Sequence, residues 1–108
     1  MKQFMARQGD VLIRQVKSIP SNAQPREWKD RIVLAYGEVT GHAHAIDVAE
    51  AVEFTMADAA GVVSRFLKVA SEATIRHEEH AAVVLPDGLY EIVQQREYHP
   101  EAIRNVTD

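Results

Sequence analysis

The sequence predicts an all-β protein, a small single-domain sandwich or barrel of about seven or eight short strands followed by a short C-terminal helical turn. Three observations predict it. Short runs rich in Val, Ile, Leu and aromatic residues recur along the chain. Turn-forming Gly, Pro, Asn and Asp punctuate them at intervals of roughly eight to twelve residues. No stretch of about ten residues carries a convincing helical period.

Taken in order, Gly9-Asp10 is a turn and Val11 to Val16 the first strand, apolar and rich in β-branching. Ser18 to Lys29 holds Pro20, Pro25, Ser21 and Asn22 without a period, and reads as a long loop whose Trp28 buries its ring against the sheet when packed down. Arg31 to Tyr36 is a second strand, stopped by Gly37. Glu38 to Ile46 reads as a short strand with a bulge at Gly41. Ala49 to Met56 mixes alanines and glutamates with alternating Val52, Phe54 and Met56, and the alternation favours a strand. Asp58-Ala59-Ala60-Gly61 is a turn. Val62 to Ala70 and Ala73 to His77 make two strands around a break at Ser71-Glu72, and Ala81 to Leu85 follows. Pro86-Asp87-Gly88 signals another turn. Leu89 to Tyr98 is the longest strand, ended by His99-Pro100, with a helical turn over Glu101 to Val106.

The 108 residues suit one domain with a modest core, and 46% apolar with 26% charged residues is globular composition. No uncharged stretch is long enough to span a bilayer, and MKQFMARQGD does not read as a secretory signal, so the expected location is cytoplasmic. The absence of cysteine excludes disulfides and thiolate metal sites. A net charge of −4 with scattered basic residues disfavours nucleic acid. Arg26, Lys29 and Arg31 form the one local basic cluster, and Glu27 and Asp30 interrupt it.

The candidate chemistry lies in histidine. Four of the five histidines fall in two clusters, Gly41-His42-Ala43-His44 and His77-Glu78-Glu79-His80. On a strand, residues two apart share a face, so His42 and His44 can converge on one ion while Ala43 faces away. His77 and His80, three apart, join them if Glu79-His80 lies in a turn or bulge. Four imidazoles, or three with a carboxylate from Glu78, Glu79 or Glu50, suit a divalent Zn, Fe, Mn or Ni ion. Three protein ligands leave a position for water, whose proton a free Glu78 or Glu79 can take as general base. HEEH is one residue short of the HExxH zinc-protease signature, which excludes that chemistry. The structural alternative is solvated surface histidines and an exposed acidic turn. Tyr36, Tyr90 and Tyr98 read as core or interface aromatics, and Arg96-Glu97 with Arg76 and Glu91 as a cross-strand charge ladder.

Gly37, His42, His44, Glu50 and Gly61 resemble the first half of the cupin signature, with different spacings, and Pro86-Asp87-Gly88 resembles part of its second half, with Glu91 where the histidine stands. The resemblance implies a β-barrel holding a divalent metal through His42, His44 and Glu50, completed by Glu91 or His80. Over its whole length, RQGDVLI, GEVTGHAH, HEEH, LPDGLYE and QREY make the chain similar to small uncharacterised bacterial and phage proteins.

Three functions follow as expectations. The first is divalent-metal binding through His42, His44, His77 and His80, in a structural or hydrolytic role on an unidentified small-molecule substrate. The second is a metal-free assembly module forming a homo-oligomer in a phage-related setting, with incidental histidines. The third is a metal-independent hydrolase or nuclease using His77 or His80 as general base beside a glutamate. None engages a membrane.

Overall fold

The computed structural model describes residues 4–37 and 41–94. It is all-β, with eight strands: β1 (Met5–Gln8), β2 (Val11–Val16), β3 (Gln24–Arg26), β4 (Arg31–Tyr36), β5 (Ala43–Asp47), β6 (Ala51–Ala57), β7 (Val63–Ile75) and β8 (Val83–Gln94). Six form an antiparallel sheet in the order β1-β2-β8-β7-β6-β3, and β4 and β5 form a two-stranded ribbon. Among the described residues no helix is long and apolar enough to cross a membrane.

The core lies between sheet and ribbon. Val11 and Ile13 of β2, Leu67, Val69 and Ile75 of β7, and Leu85 and Tyr90 of β8 pack with Ile32, Leu34 and Ile46 of the ribbon. Tyr90 is fully enclosed, yet its hydroxyl is satisfied by donating to the Pro86 carbonyl at 2.6 Å. β4 is buried over four consecutive residues, Ile32 to Ala35, which simple alternation does not allow. A bulge explains it. Val33 pairs with Ala45 and Ala35 with His44, so Leu34 is an extra residue directly opposite the strand that carries His44.

The ribbon is fastened to the sheet by charge. Fully buried Glu53 of β6 accepts from Arg65 Nε of β7 at 2.5 Å and from Trp28 Nε1 at 2.6 Å. Arg65 then donates to the Leu34 and Val33 carbonyls, at 2.6 and 2.8 Å, which the bulge leaves available. Trp28 thus packs on the core as expected of its loop, though that loop also contains β3, an edge strand with Pro25 opposite Phe54. An edge tolerates proline because one side of its ladder is unused.

Two expected breaks are not breaks. β7 runs unbroken through Ser71-Glu72, and β8 runs through Pro86-Asp87-Gly88. The two segments face each other: Val69 pairs with Gly88 and Glu72 with Pro86, so β7 carries one extra residue at a shared bulge. Turn-forming residues here bend a strand pair instead of reversing it. β1 is a strand the sequence reading did not identify. The cross-strand partner of Glu91 is Arg14 of β2, with which it forms an ion pair. The readings placed on Arg96, Glu97, Tyr98, His99 and the helical turn over Glu101 to Val106 lie outside the described residues.

Candidate metal centre

The bend in β7 and β8 delivers the HEEH segment to the ribbon. Immediately after β7, Arg76 makes a two-way backbone bridge with Ala45 of β5, at 2.8 and 3.0 Å. His77 to His80 then form the loop back toward β8. On the ribbon side Ala43 is buried in the core, while His42 and His44 face the same cleft as His77 and His80. Ring centroids lie 4.3 Å apart for His44 and His77, 4.6 Å for His77 and His80, 5.5 Å for His44 and His80, and 5.6 Å for His42 and His77.

Two sets of ligand atoms follow from this packing. One ring nitrogen from each of His44, His77 and His80 lies within 4.8 Å of the others, and the same is true of His42, His77 and a Glu78 carboxylate oxygen. His77 belongs to both sets.

Gln8, at the end of β1, organises the first set. Its amide nitrogen donates to the Ile75 carbonyl at 3.0 Å and to the Ala81 carbonyl at 2.9 Å, the two ends of the histidine loop. That fixes which end of the amide is oxygen, and Oε1 lies 2.8 Å from His44 Nδ1. An amide oxygen can only accept, so His44 Nδ1 carries the proton and Nε2 keeps its lone pair. This is the tautomer a metal ligand needs, set by a partner behind the ring. Burial, reinforced by repulsion from His77, holds the His44 pKa below its ordinary value, and Asp10 opposes this less strongly. The neutral, ligating form is therefore favoured near neutral pH.

His77 and His42 are less settled. The Glu79 N–H donates to His77 Nδ1 at 3.0 Å, so the neutral ring carries its proton on Nε2. Ligation of a neutral His77 displaces that backbone donor either way: through Nδ1 the ion takes the lone pair that accepts it, and through Nε2 the proton moves to Nδ1. His42 Nδ1 is shielded from solvent without a hydrogen bond, Glu79 Oε1 approaching to 3.5 Å without making one. A buried nitrogen left in this state is costly unless a hydrogen-bond partner or an ion takes it up.

The cleft around these rings has a volume of about 330 Å³ and is also lined by Gly9, Asp10, Tyr36, Gly37 and Glu79. Asp10 Oδ1 stands 3.7 Å from His44 Nε2. Gly9 has φ +59° in the two-residue turn between β1 and β2, and a β-carbon there would come within 3.0 Å of His44 and 3.1 Å of His80. A β-carbon on Gly37 would meet His77 Nε2 at 3.0 Å. Both glycines are the walls that let four imidazoles crowd together.

A family model described as "Domain of unknown function (DUF8820)" matches residues 7–95. The chain belongs to this family. No curated protein and no solved structure matches it. The DUF8820 match spans Gln8, the Gly9 turn and both histidine segments, so the whole cleft lies within it.

Of the residues singled out from sequence, His42, His44, His77, His80 and Glu79 meet in the cleft, and Glu78 flanks it. Glu78 Oε1 accepts from the Ala43 N–H at 3.0 Å, and that bond is the main reason its carboxyl sits below its ordinary range. The ligand set implied by the cupin resemblance is not assembled. Glu50 accepts from the Thr74 N–H at 2.9 Å, and Glu91 is engaged with Arg14. Gly9 and Asp10, which line the cleft, and Gln8, which stands behind His44, are site residues that sequence reasoning missed. A Gln-Gly-Asp turn is the only local signal they give, and it reads equally well as an ordinary hairpin.

Proposed function

We propose that this DUF8820 chain binds one divalent transition-metal ion through His44, His77 and His80, with a remaining position facing the cleft. The observation that carries this reading is the Gln8–His44 contact, which fixes the proton of the buried neutral imidazole on Nδ1 and leaves its lone pair on Nε2. All-nitrogen donors favour Zn, Fe or Ni over Mg or Ca. Three protein ligands beside an open cleft fit a catalytic centre better than a structural one, which is normally closed by four.

Such an ion, when bound, supplies Lewis acidity and an acidified water for hydrolysis. The chain's own part is positional. Gln8 orients His44 and braces both ends of the histidine loop, and Gly9 and Gly37 leave room for the rings. Glu79 and Asp10 supply carboxylates that can accept a proton in the cleft. One Glu78 oxygen is engaged by the Ala43 N–H, which makes that carboxylate a weaker base than an ordinary glutamate.

Elemental analysis of protein purified without a histidine tag tests the reading. About one transition-metal ion per chain is expected, with its loss in His44→Ala and a fall in melting temperature on chelation. Metal-free protein indifferent to chelator and to added Zn would refute it.

A second reading, self-assembly of a metal-free module, draws support from adjacent Val62 and Val63, which are 61% and 58% exposed beside the β6–β7 turn. Light scattering separates the two: a strict monomer at high concentration removes the assembly reading and leaves the metal reading standing.

A further inference from the structure

We infer that the cleft offers one cation two alternative positions, an inner one at His44, His77 and His80 and an outer one at His42, His77 and Glu78, between which His77 hands it over. The inference rests on the metal-binding reading above and adds the outer position.

Three observations support it. The two ligand sets are each compact, within 4.8 Å, and share His77. A neutral imidazole has one lone pair to give, so His77 serves one ion at a time, and the sets are alternatives. His42, whose Nδ1 is buried without a hydrogen-bond partner, belongs to the outer set, where a cation held on that nitrogen would supply the missing partner.

Charge and burial give the two positions different characters. The inner set is all imidazole and is anchored on buried His44. The outer set includes an exposed carboxylate, Glu78, one of whose oxygens accepts from the Ala43 N–H. Glu79 stands beside His42 as a further negative charge. An arriving dication can therefore be held first by the carboxylate and His42 and pass through His77 to the set anchored on buried His44. The closeness of Asp10 to His44 Nε2, 3.7 Å, continues the negative lining to the inner end. The chemistry fits uptake of a hydrated divalent ion from solvent, followed by exchange of an oxygen donor for nitrogen donors.

Cobalt(II) titration of tag-free protein tests this, because the visible spectrum of the ion reports its donor set. Wild type, Glu78→Gln, His80→Ala, the Glu78→Gln/His80→Ala double variant, His42→Ala and His77→Ala would be compared. Glu78 and His80 are exposed, and glutamine can still accept from the Ala43 N–H, so these variants are expected to fold. Wild type should take up one ion, and Glu78→Gln should bind within about threefold of it. His80→Ala should still bind one ion, at least about tenfold more weakly and with a changed spectrum. The double variant should lose at least about tenfold again, about threefold or more beyond the loss that Glu78→Gln causes in wild type. His77→Ala should abolish both positions. Loss of all binding in His80→Ala, or indifference of His80→Ala to the second change, would overturn the outer position while leaving the metal reading intact. Equal losses in His42→Ala and His80→Ala with Glu78→Gln silent would replace the handover with a single four-histidine site, and two ions bound at once would replace it with a dinuclear one. No cobalt uptake by wild type removes both readings together.

Discussion

Glu53 and His44 are polar side chains withdrawn from solvent within the same small β-structure, 0% and 2% exposed, and their surroundings are opposite in kind. Around Glu53 the hydrogen bonds close. Both carboxylate oxygens are taken, by Trp28 and Arg65, and each terminal nitrogen of Arg65 donates to one ribbon carbonyl, of Leu34 or Val33. Around His44 they stay open. One nitrogen is bound to Gln8, the other faces a cleft of neighbouring imidazoles, and the His42 nitrogen nearby has no partner. A closed buried network holds two sheets together, whereas an open one keeps unspent donor atoms in position for something that arrives from outside. The two are also connected, since the bulge that Arg65 clamps lies opposite His44.

The sharpest way to break the comparison is at the closed cluster. Glu53→Gln leaves the Arg65 guanidinium facing a neutral partner in the interior, and removing one member of a buried pair typically costs about 3–5 kcal/mol. The low end is expected here, because Arg65 is partly exposed and retains its two carbonyl acceptors. Urea denaturation of the metal-free protein measures it. If the contrast between the clusters is correct, the folded fraction of this variant still binds the same number of metal ions as wild type.

At the open cluster the matching change is Gln8→Met, which keeps side-chain length and removes the amide. Metal affinity should drop about 10–100-fold, the usual effect of deleting a group that orients a ligand from behind. Stability should fall by about 1–3 kcal/mol, because the Ile75 and Ala81 carbonyls and His44 Nδ1 lose their partner in the interior. Zinc competition against a chromophoric chelator gives the first number and urea titration the second. Unchanged affinity would mean that Gln8 is a brace for the loop alone.

Much of the fold was legible because strand-forming residues act locally. Val11 to Val16 and Arg31 to Tyr36 are β-branched or apolar runs bounded by turn residues, and they became β2 and β4 at the expected positions. The Asp58–Gly61 turn was equally readable: Asp58 Oδ1 accepts from the Ala60 and Val62 N–H groups at 2.8 and 2.9 Å, a bond pattern that needs no distant partner. The errors came where local chemistry has two outcomes. Ser71-Glu72 and Pro86-Asp87-Gly88 each suit a turn or a bulge, and the pairing of one with the other decides between them. The histidine pairs announced the cleft, and the two-residue spacing placed His42 and His44 on one side of the chain. Gln8 announced nothing, since its role depends on partners 36, 67 and 73 residues away.

A smaller effect is expected at the turn that walls the cleft. Gly9→Ala places a β-carbon at φ +59°, a conformation that costs an L-residue about 1–2 kcal/mol, and presses it against the His44 and His80 rings. Both rings must give way, so metal affinity should fall by more than the stability loss of the ion-free protein accounts for. Comparing urea midpoints with zinc affinity separates the two costs. Equal changes would show strain in the turn with no consequence for the rings.

The smallest effect sharpens the comparison through pH. His44 in the folded chain has its pKa below the ordinary value of 6.5, chiefly through burial, so the unfolded chain picks up this proton first as pH falls. Between 6.5 and the lower folded value the unfolded state binds more protons, and stability rises with pH wherever that holds. The ion-free protein should therefore lose stability as pH drops below about 7 and stop losing it from this source once the folded ring is also protonated. Urea midpoints across that range, for wild type and for His44→Gln, isolate the contribution: the variant should show a shallower slope. An identical slope would place the proton-sensitive burial elsewhere and leave Gln8 with the choice of tautomer alone.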